Sequence, residues 1–429
     1  MNNYNVEQRH DALLNESVYR VTHSSGLEIQ FMPKKGYTKK FAYFATRYGA
    51  MYNKFEMEDG KVQDMPLGIA HFLEHKIFEE SDGDIFDKFS KLGASVNAYT
   101  NFNSTAYMFS TVDNFSNCLE LLLGFVQRCH LTDENVEKEK GIIGQEIKMY
   151  DDDPDWRVYF NTLKVMYQNH PVREDVAGSV ESVNATTREQ LQMCYDAFYI
   201  PKNMILFVVG DLDLEDVLKV VDQNITEDYS SRQSLPELIL PKEPEGVLES
   251  EIVQKMDVPV PLFQLGFKDD LPLKDSTESL KKTIAMKLVL DMHFGKGSSF
   301  YSKNYDEGII NASFYYEFSN GMEYAHVMFG GESAEYKKVA EAVKAEIERI
   351  HLEGIDHSAF ERVKRKAIGR YLSAFNSVQY VAGAFVSYFM KRMDLFDYLG
   401  LLETIEPEFV EETLKRHLKT EHVVLSVVE

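Results

Sequence analysis

The sequence predicts an α+β chain of two homologous domains, each a mostly antiparallel sheet with helices packed on one face. Three observations predict it. A strand, turn and strand in the first half lead into two long helical stretches, the same order returns in weak form in the second half, and a stretch marked by Ser230, Ser231, Pro236, Pro241 and Pro244 lies between them. The domains are therefore expected at residues 1–228 and 247–429, with a linker at 229–246.

In order along the chain, residues 26–33 alternate apolar and polar and read as a strand, followed by a second at 40–48. Residues 66–78 read as one short helix. A helix from Asp84 to Lys91 is stopped by Gly93, and residues 94–100, 101–104 and 105–111 form a strand, a turn and a strand. Residues 115–129 and 133–151 are helices, 187–195 is rich in helix formers, and 204–210 is the strand that completes the first domain. In the second half, 310–316 and 322–329 parallel that hairpin, 356–370 parallels the helix at 133–146, and 422–428 parallels 203–209.

Composition bounds the function. The 429 residues are 44% hydrophobic, enough for sizeable cores, and 69 acidic against 46 basic residues give a net charge of −23, which repels nucleic acid and anionic lipid. Cys118, Cys129 and Cys194 show no CxxC spacing, so buried thiols in a reducing compartment, the cytoplasm, are expected. The first residues lack the apolar core of a secretory signal, and no apolar run is long enough to span a membrane.

The chemistry lies in the helix at 66–78. His71 and His75, at i and i+4, project from one face with Glu74 between them, while Ile69, Phe72, Leu73 and Ile77 form the opposite arc. An apolar back and an imidazole front suit a metal ion, and His-x-x-Glu-His matches the inverted zincin motif, whose further ligand comes from later in the chain. The alternative is two surface histidines beside a solvated glutamate. A further ligand is found in the helix at 133–151, where Glu139 and Glu146, two turns apart, fall inside an apolar stripe of Val136, Ile142, Ile143, Ile147 and Tyr150. Buried carboxylates require a partner, either a metal or a buried arginine or helix end. Gly141 and Gly144 in that helix suggest close approach of another backbone. The second half has no His-x-x-Glu-His and places Arg370 where the first has Glu146, so the metal site is expected in one half only.

Five segments in order carry a family resemblance: Gly68-Ile-Ala-His71-Phe-Leu-Glu74-His75, Gly93-Ala-Ser-Val-Asn97-Ala98-Tyr-Thr100, Glu139-Lys-Gly-Ile-Ile-Gly-Gln-Glu146, His170-Pro with Gly178-Ser-Val-Glu-Ser182, and Tyr199-Ile-Pro-Lys-Asn-Met204. Together they resemble the pitrilysin-type, inverted-motif zinc peptidases, the family of the mitochondrial processing peptidase and the insulin-degrading enzyme. The resemblance implies one Zn2+ per chain held by His71, His75 and Glu146, with Glu74 as general base and Glu139 supporting the site. It further implies an edge strand that binds an extended peptide substrate, with Asn97 and Ala98 near the scissile bond. The family completes its site with an arginine and, seven residues on, a tyrosine from a second half; here those positions are Tyr305 and Ala312, or Asn311 in a shifted register. The expected partner is a zinc-less homologous subunit supplying the missing pair, as in the bacterial two-gene, YmfH-like branch, with a homodimer as the alternative. A non-catalytic scaffold subunit and a dedicated protease maturing a ribosomally made peptide are the other readings.

Overall fold

The structure, a computed structural model, describes residues 4–80, 83–269, 275–321 and 324–429. Twelve strands build its two principal sheets: β1 (Val6–Asp11), β2 (Glu16–Thr22), β3 (Glu28–Pro33), β4 (Lys40–Thr46), β5 (Ser95–Thr100), β6 (Thr105–Thr111), β7 (Met204–Gly210), β8 (Glu251–Gln254), β9 (Leu262–Lys268), β10 (Tyr315–Asn320), β11 (Ala325–Glu332) and β12 (Val423–Val428). The helices that bear on the argument are α1 (Ile69–Ile77), α2 (Ile85–Lys91), α3 (Phe115–Val126), α4 (Asp133–Asp151), α5 (Pro154–Met166), α6 (Arg188–Phe198), α7 (Ser276–Phe294), α8 (Ser299–Asp306), α9 (Tyr336–Glu353), α10 (His357–Ala374) and α11 (Val378–Met390). Local chemistry fixes several ends. Asp153 caps α5 with Pro154 in its first turn, and Thr187 and Gln190 close a capping box on α6.

The first sheet has the order β1-β2-β3-β7-β4-β6-β5, and the second β8-β12-β9-β11-β10. The last five strands of the first reproduce the second. In both, the leading pair is parallel (β3 with β7, β8 with β12) and the three that follow are antiparallel. The repeat visible in the sequence is therefore a repeat of topology. The expected strand at 322–329 is observed as β11; Met322 and Glu323 lie outside the described residues.

The chain forms two compact units: Met1–Ile147, Asp175–Leu240 and Leu372–Leu395, and Lys148–Glu174, Pro241–Tyr371 and Phe396–Glu429. The sheets follow the two halves of the sequence, but two helices are exchanged. In the first unit α3 packs on one face of the sheet, where Phe125 meets Tyr107 at 5.8 Å and Phe115 meets Phe109 at 5.3 Å. The opposite face is covered by α11 from the second half, with Phe385 stacked on Phe207 at 4.8 Å and 17°. With both faces covered, every residue of β6 and β7 is buried. In the second unit α7 covers one face through Phe294 against Phe329 at 4.5 Å, and α5 from the first half covers the other, where the Thr162 hydroxyl bonds Gln264 at 3.0 Å.

The segment expected as a linker, 229–246, divides between the units at Leu240. Its first part is packed: Tyr229 is buried against Phe44, and Glu237–Leu238 pairs with Phe55 and Glu56. Its second part is clamped by Lys268, whose ammonium bonds Glu243 and the carbonyls of Pro244 and Gly246.

Phe385→Ala removes the ring that docks α11. It is expected to lower unfolding free energy by about 3–5 kcal/mol, read as a fall in the urea midpoint. Leu352→Ser, at a side chain 88% exposed, should change it by less than about 0.5 kcal/mol. An unchanged midpoint for Phe385→Ala would show that the docking carries no stability.

Candidate metal centre

The α1 helix is fixed at its entry by two glycines. Gly68, its N-cap, has φ +80°, and a Cβ there would lie 2.2 Å from the Ala177 carbonyl oxygen. Gly178 has φ +76°, and its Cβ would lie 2.5 Å from the Leu67 carbonyl oxygen. Only glycine allows two backbone turns this close at positive φ. Behind this entry Ile69, Phe72, Leu73 and Ile77 are buried as their arc predicts, leaving His71, Glu74 and His75 on the other side.

The α4 helix brings its carboxylates to that side. Glu146 Oε1 lies 3.7 Å from His71 Nε2, and Glu146 Oε2 lies 3.5 Å from His75 Nε2. Two donors of a tetrahedral ion with bonds of 2.0–2.1 Å are separated by about 3.4 Å, so each imidazole nitrogen stands near that spacing from one oxygen of the Glu146 carboxylate. His71, His75 and Glu146 form a group whose ligand atoms all lie within 4.8 Å of one another, and among the described residues no second group of this kind occurs. Glu139 stands behind His75: its Oε1 is 3.0 Å from Nδ1, which places the ring proton on Nδ1 and leaves Nε2 as the electron-pair donor facing Glu146.

The electrostatics act on the two imidazoles in opposite directions. Burial, with His75 adding to it, lowers the His71 pKa to about 4, so that imidazole is neutral; its Nδ1 has no hydrogen-bond partner among the described residues. Burial lowers the His75 pKa, but Glu139, Glu146 and Glu74 outweigh it and leave it raised. Burial raises the Glu139 pKa, and His75 and Lys76 reverse that into a net lowering, so Glu139 stays ionised. Burial raises the Glu74 pKa, opposed by a 2.6 Å hydrogen bond donated by Thr100 to its Oε2. Lys76, fully buried, donates to the Asn135 carbonyl at 3.2 Å, pairs with Glu79 and lies 3.9 Å from Glu139 Oε2.

Asn97 and Ala98 lie on β5, the edge strand of the first sheet; Asn97 is exposed and Ala98 half-buried. Ala98 pairs with Tyr107 and Thr100 with Thr105, so Ala98 and Thr100 share a face. The sequence reading did not single out Thr100 or Lys76. The signal for Thr100 was its place two residues after Ala98; for Lys76 it was a charge directly after the motif in an otherwise apolar helix. Two readings of α4 change. Ile142 is 48% exposed rather than part of the buried stripe, and a Cβ on Gly141 or Gly144 would meet nothing within 4 Å.

In the second unit the corresponding helices carry a different linkage. Asp291 on α7 binds Lys366 at 2.7 Å and Arg370 at 3.7 Å on α10, and accepts from the Tyr316 hydroxyl on β10 at 3.0 Å. An ion pair stands where the first unit gathers His71, His75 and Glu146.

Glu139→Gln keeps the shape but weakens the orienting bond to His75. Zinc affinity by competition titration is expected to fall about 10–100-fold, and an unchanged affinity would remove Glu139 from the site.

Comparisons with known proteins identify the family. The family model for insulinase, peptidase family M16, matches residues 60–180, and that for the peptidase M16 inactive domain matches 185–367. The chain is 40% identical to the zinc protease YmfH of Bacillus subtilis strain 168 over 97% of each chain, and 25% identical to that organism's zinc protease YmxG over 84% of this chain and 88% of the other. An M16-like peptidase from Alicyclobacillus acidocaldarius superposes with a TM-score of 0.92 at 36% identity, covering 100% of this chain and 99% of that one. A motif-bearing half joined to a half of the same topology without the motif, matched by both family models and by a whole-length relative, leads to one conclusion: this chain belongs to the M16 peptidase family.

Proposed function

We propose that the chain is a zinc-dependent metalloendopeptidase acting on extended peptides, with one Zn2+ held by His71, His75 and Glu146. The observation that carries this is the convergence of those three donors from two helices, with Glu74 on the same helix face. A zinc ion held by these residues would supply a water activated for attack, with a pKa of about 7 in such sites. The chain's own residues do the rest. Glu74, one oxygen held by Thr100, accepts the water's proton as general base, and Glu139 keeps the His75 ring in its donor orientation. The outer edge of β5 has no neighbouring strand among the described residues, and a peptide adds there as a further strand, taking over the Ala98 N–H that Asn97 Oδ1 now holds at 2.9 Å. Recognition through backbone selects extended segments rather than folded proteins.

Completion of the site falls to a partner. Tyr305, on α8, stacks on Tyr301 at 5.7 Å and 15°, and Ala312 is exposed, so neither supplies a cation at the position where the family has its arginine and tyrosine. A zinc-less homologous subunit carrying that pair fits better than a second copy of this chain. Cys118, Cys129 and Cys194 are all free, which supports the cytoplasm. Among the described residues no helix is long and apolar enough to cross a membrane.

Glu74→Gln is expected to retain one zinc per chain while peptide hydrolysis, assayed alone and with a candidate homologous partner, falls about 10²–10⁴-fold. Full hydrolysis by the unmixed chain would overturn the heterodimer. Failure of every mixture to cleave, with no zinc bound, would leave the scaffold reading.

A further inference from the structure

Thr100 is the last residue of the edge strand β5, and its hydroxyl reaches across to α1, donating to Glu74 Oε2 at 2.6 Å. The direction of this bond is imposed by what lies behind it. Thr105 Oγ1, fully buried, donates to the Tyr48 carbonyl at 2.8 Å, and a carbonyl can only accept. Thr105 therefore has no second proton to give to Thr100 Oγ1, 3.1 Å away. Thr100 keeps its own proton for an acceptor, and the Glu74 oxygen, at 2.6 Å, is closer than the Thr105 oxygen at 3.1 Å. The backbone register holds Thr100 opposite Thr105 at the end of the hairpin.

We propose that Thr100 is the positioning residue for Glu74. It holds Oε2 so that Oε1 is the oxygen that faces water and takes the proton, and it ties the base to the strand on which a peptide is laid. This rests on the peptidase reading above. Strand and base then act as one unit. A peptide that pairs with β5 is placed in register with Ala98, two residues before Thr100 on the same face, and Thr100 carries that register to the carboxylate.

The test uses the zinc-loaded chain with its partner subunit and the variants Thr100→Val, which keeps the shape without the hydroxyl, and Thr100→Ser, which keeps the hydroxyl. A buried hydrogen bond of this kind corresponds to roughly 10- to 100-fold. Thr100→Val should lose that much in kcat while KM and zinc content stay within about twofold, Thr100→Ser should recover most of it, and Thr100→Val should add no further loss in a Glu74→Gln background. A structural role would not be rescued selectively by serine, nor would it disappear with Glu74. A second measurement needs no activity. In urea unfolding, the Thr100→Val and Glu74→Ala effects, alanine leaving the hydroxyl no acceptor, should be non-additive by roughly tenfold in the unfolding equilibrium. Retained kcat in Thr100→Val, serine as impaired as valine, or additive unfolding effects would each overturn the proposal. If the unmutated complex hydrolyses nothing, the peptidase reading fails by itself, and additivity in the unfolding cycle still decides the Thr100–Glu74 bond.

Discussion

Two imidazoles one helical turn apart can share an ion with a carboxylate from another helix only if the two helices are held at a fixed spacing. In this chain that constraint is met by the way α1 is seated. Its apolar arc is buried and its entry is pinned where the turns at Gly68 and Gly178 meet backbone to backbone. The imidazoles have little choice of direction, and α4 needs only to present Glu139 and Glu146 two turns apart to meet them. Packing comes first here, and the convergence of the side chains follows from it.

The same helix pairing solves the problem of half-buried charge in opposite ways in the two units. In the first, Glu139 and Glu146 on α4 face imidazoles, and buried Lys76 adds a compensating charge beside Glu139. In the second, the helix in the place of α4 carries Lys366 and Arg370, and the acid, Asp291, has moved to the helix in the place of α1. Each arrangement leaves the charge compensated, but only the first leaves nitrogen and oxygen lone pairs converging on one point. A repeat of topology thus need not repeat a site.

Much of this was legible in the sequence. Periodicity located α4 at its observed ends, Asp133–Asp151, and the i, i+4 spacing put His71 and His75 on one face. The apolar stripe drew attention to Glu139 and Glu146 because a carboxylate at a core position needs a partner. What stayed hidden depends on tertiary choices that no local pattern encodes. Nothing in 154–166 or 378–390 says which sheet each helix will cover, since an apolar face fits either, and so the exchange of α5 and α11 emerges only from the fold. Strand alternation shows that Thr100 shares a face with Ala98, but not that Glu74 waits above it. Ile142 was misplaced for a simpler reason: it adjoins Ile143 in sequence but lies about 100° around the helix, on the exposed side.

The measurement that bears most directly on this account is an anomalous-difference map at the zinc edge from crystals of the zinc-loaded chain. The account predicts one ion between His71, His75 and Glu146, about 2.0–2.2 Å from an imidazole nitrogen of each histidine and from a Glu146 oxygen, with Glu139 outside the ligand shell. An ion located elsewhere, or none at this position in a fully loaded protein, would contradict it.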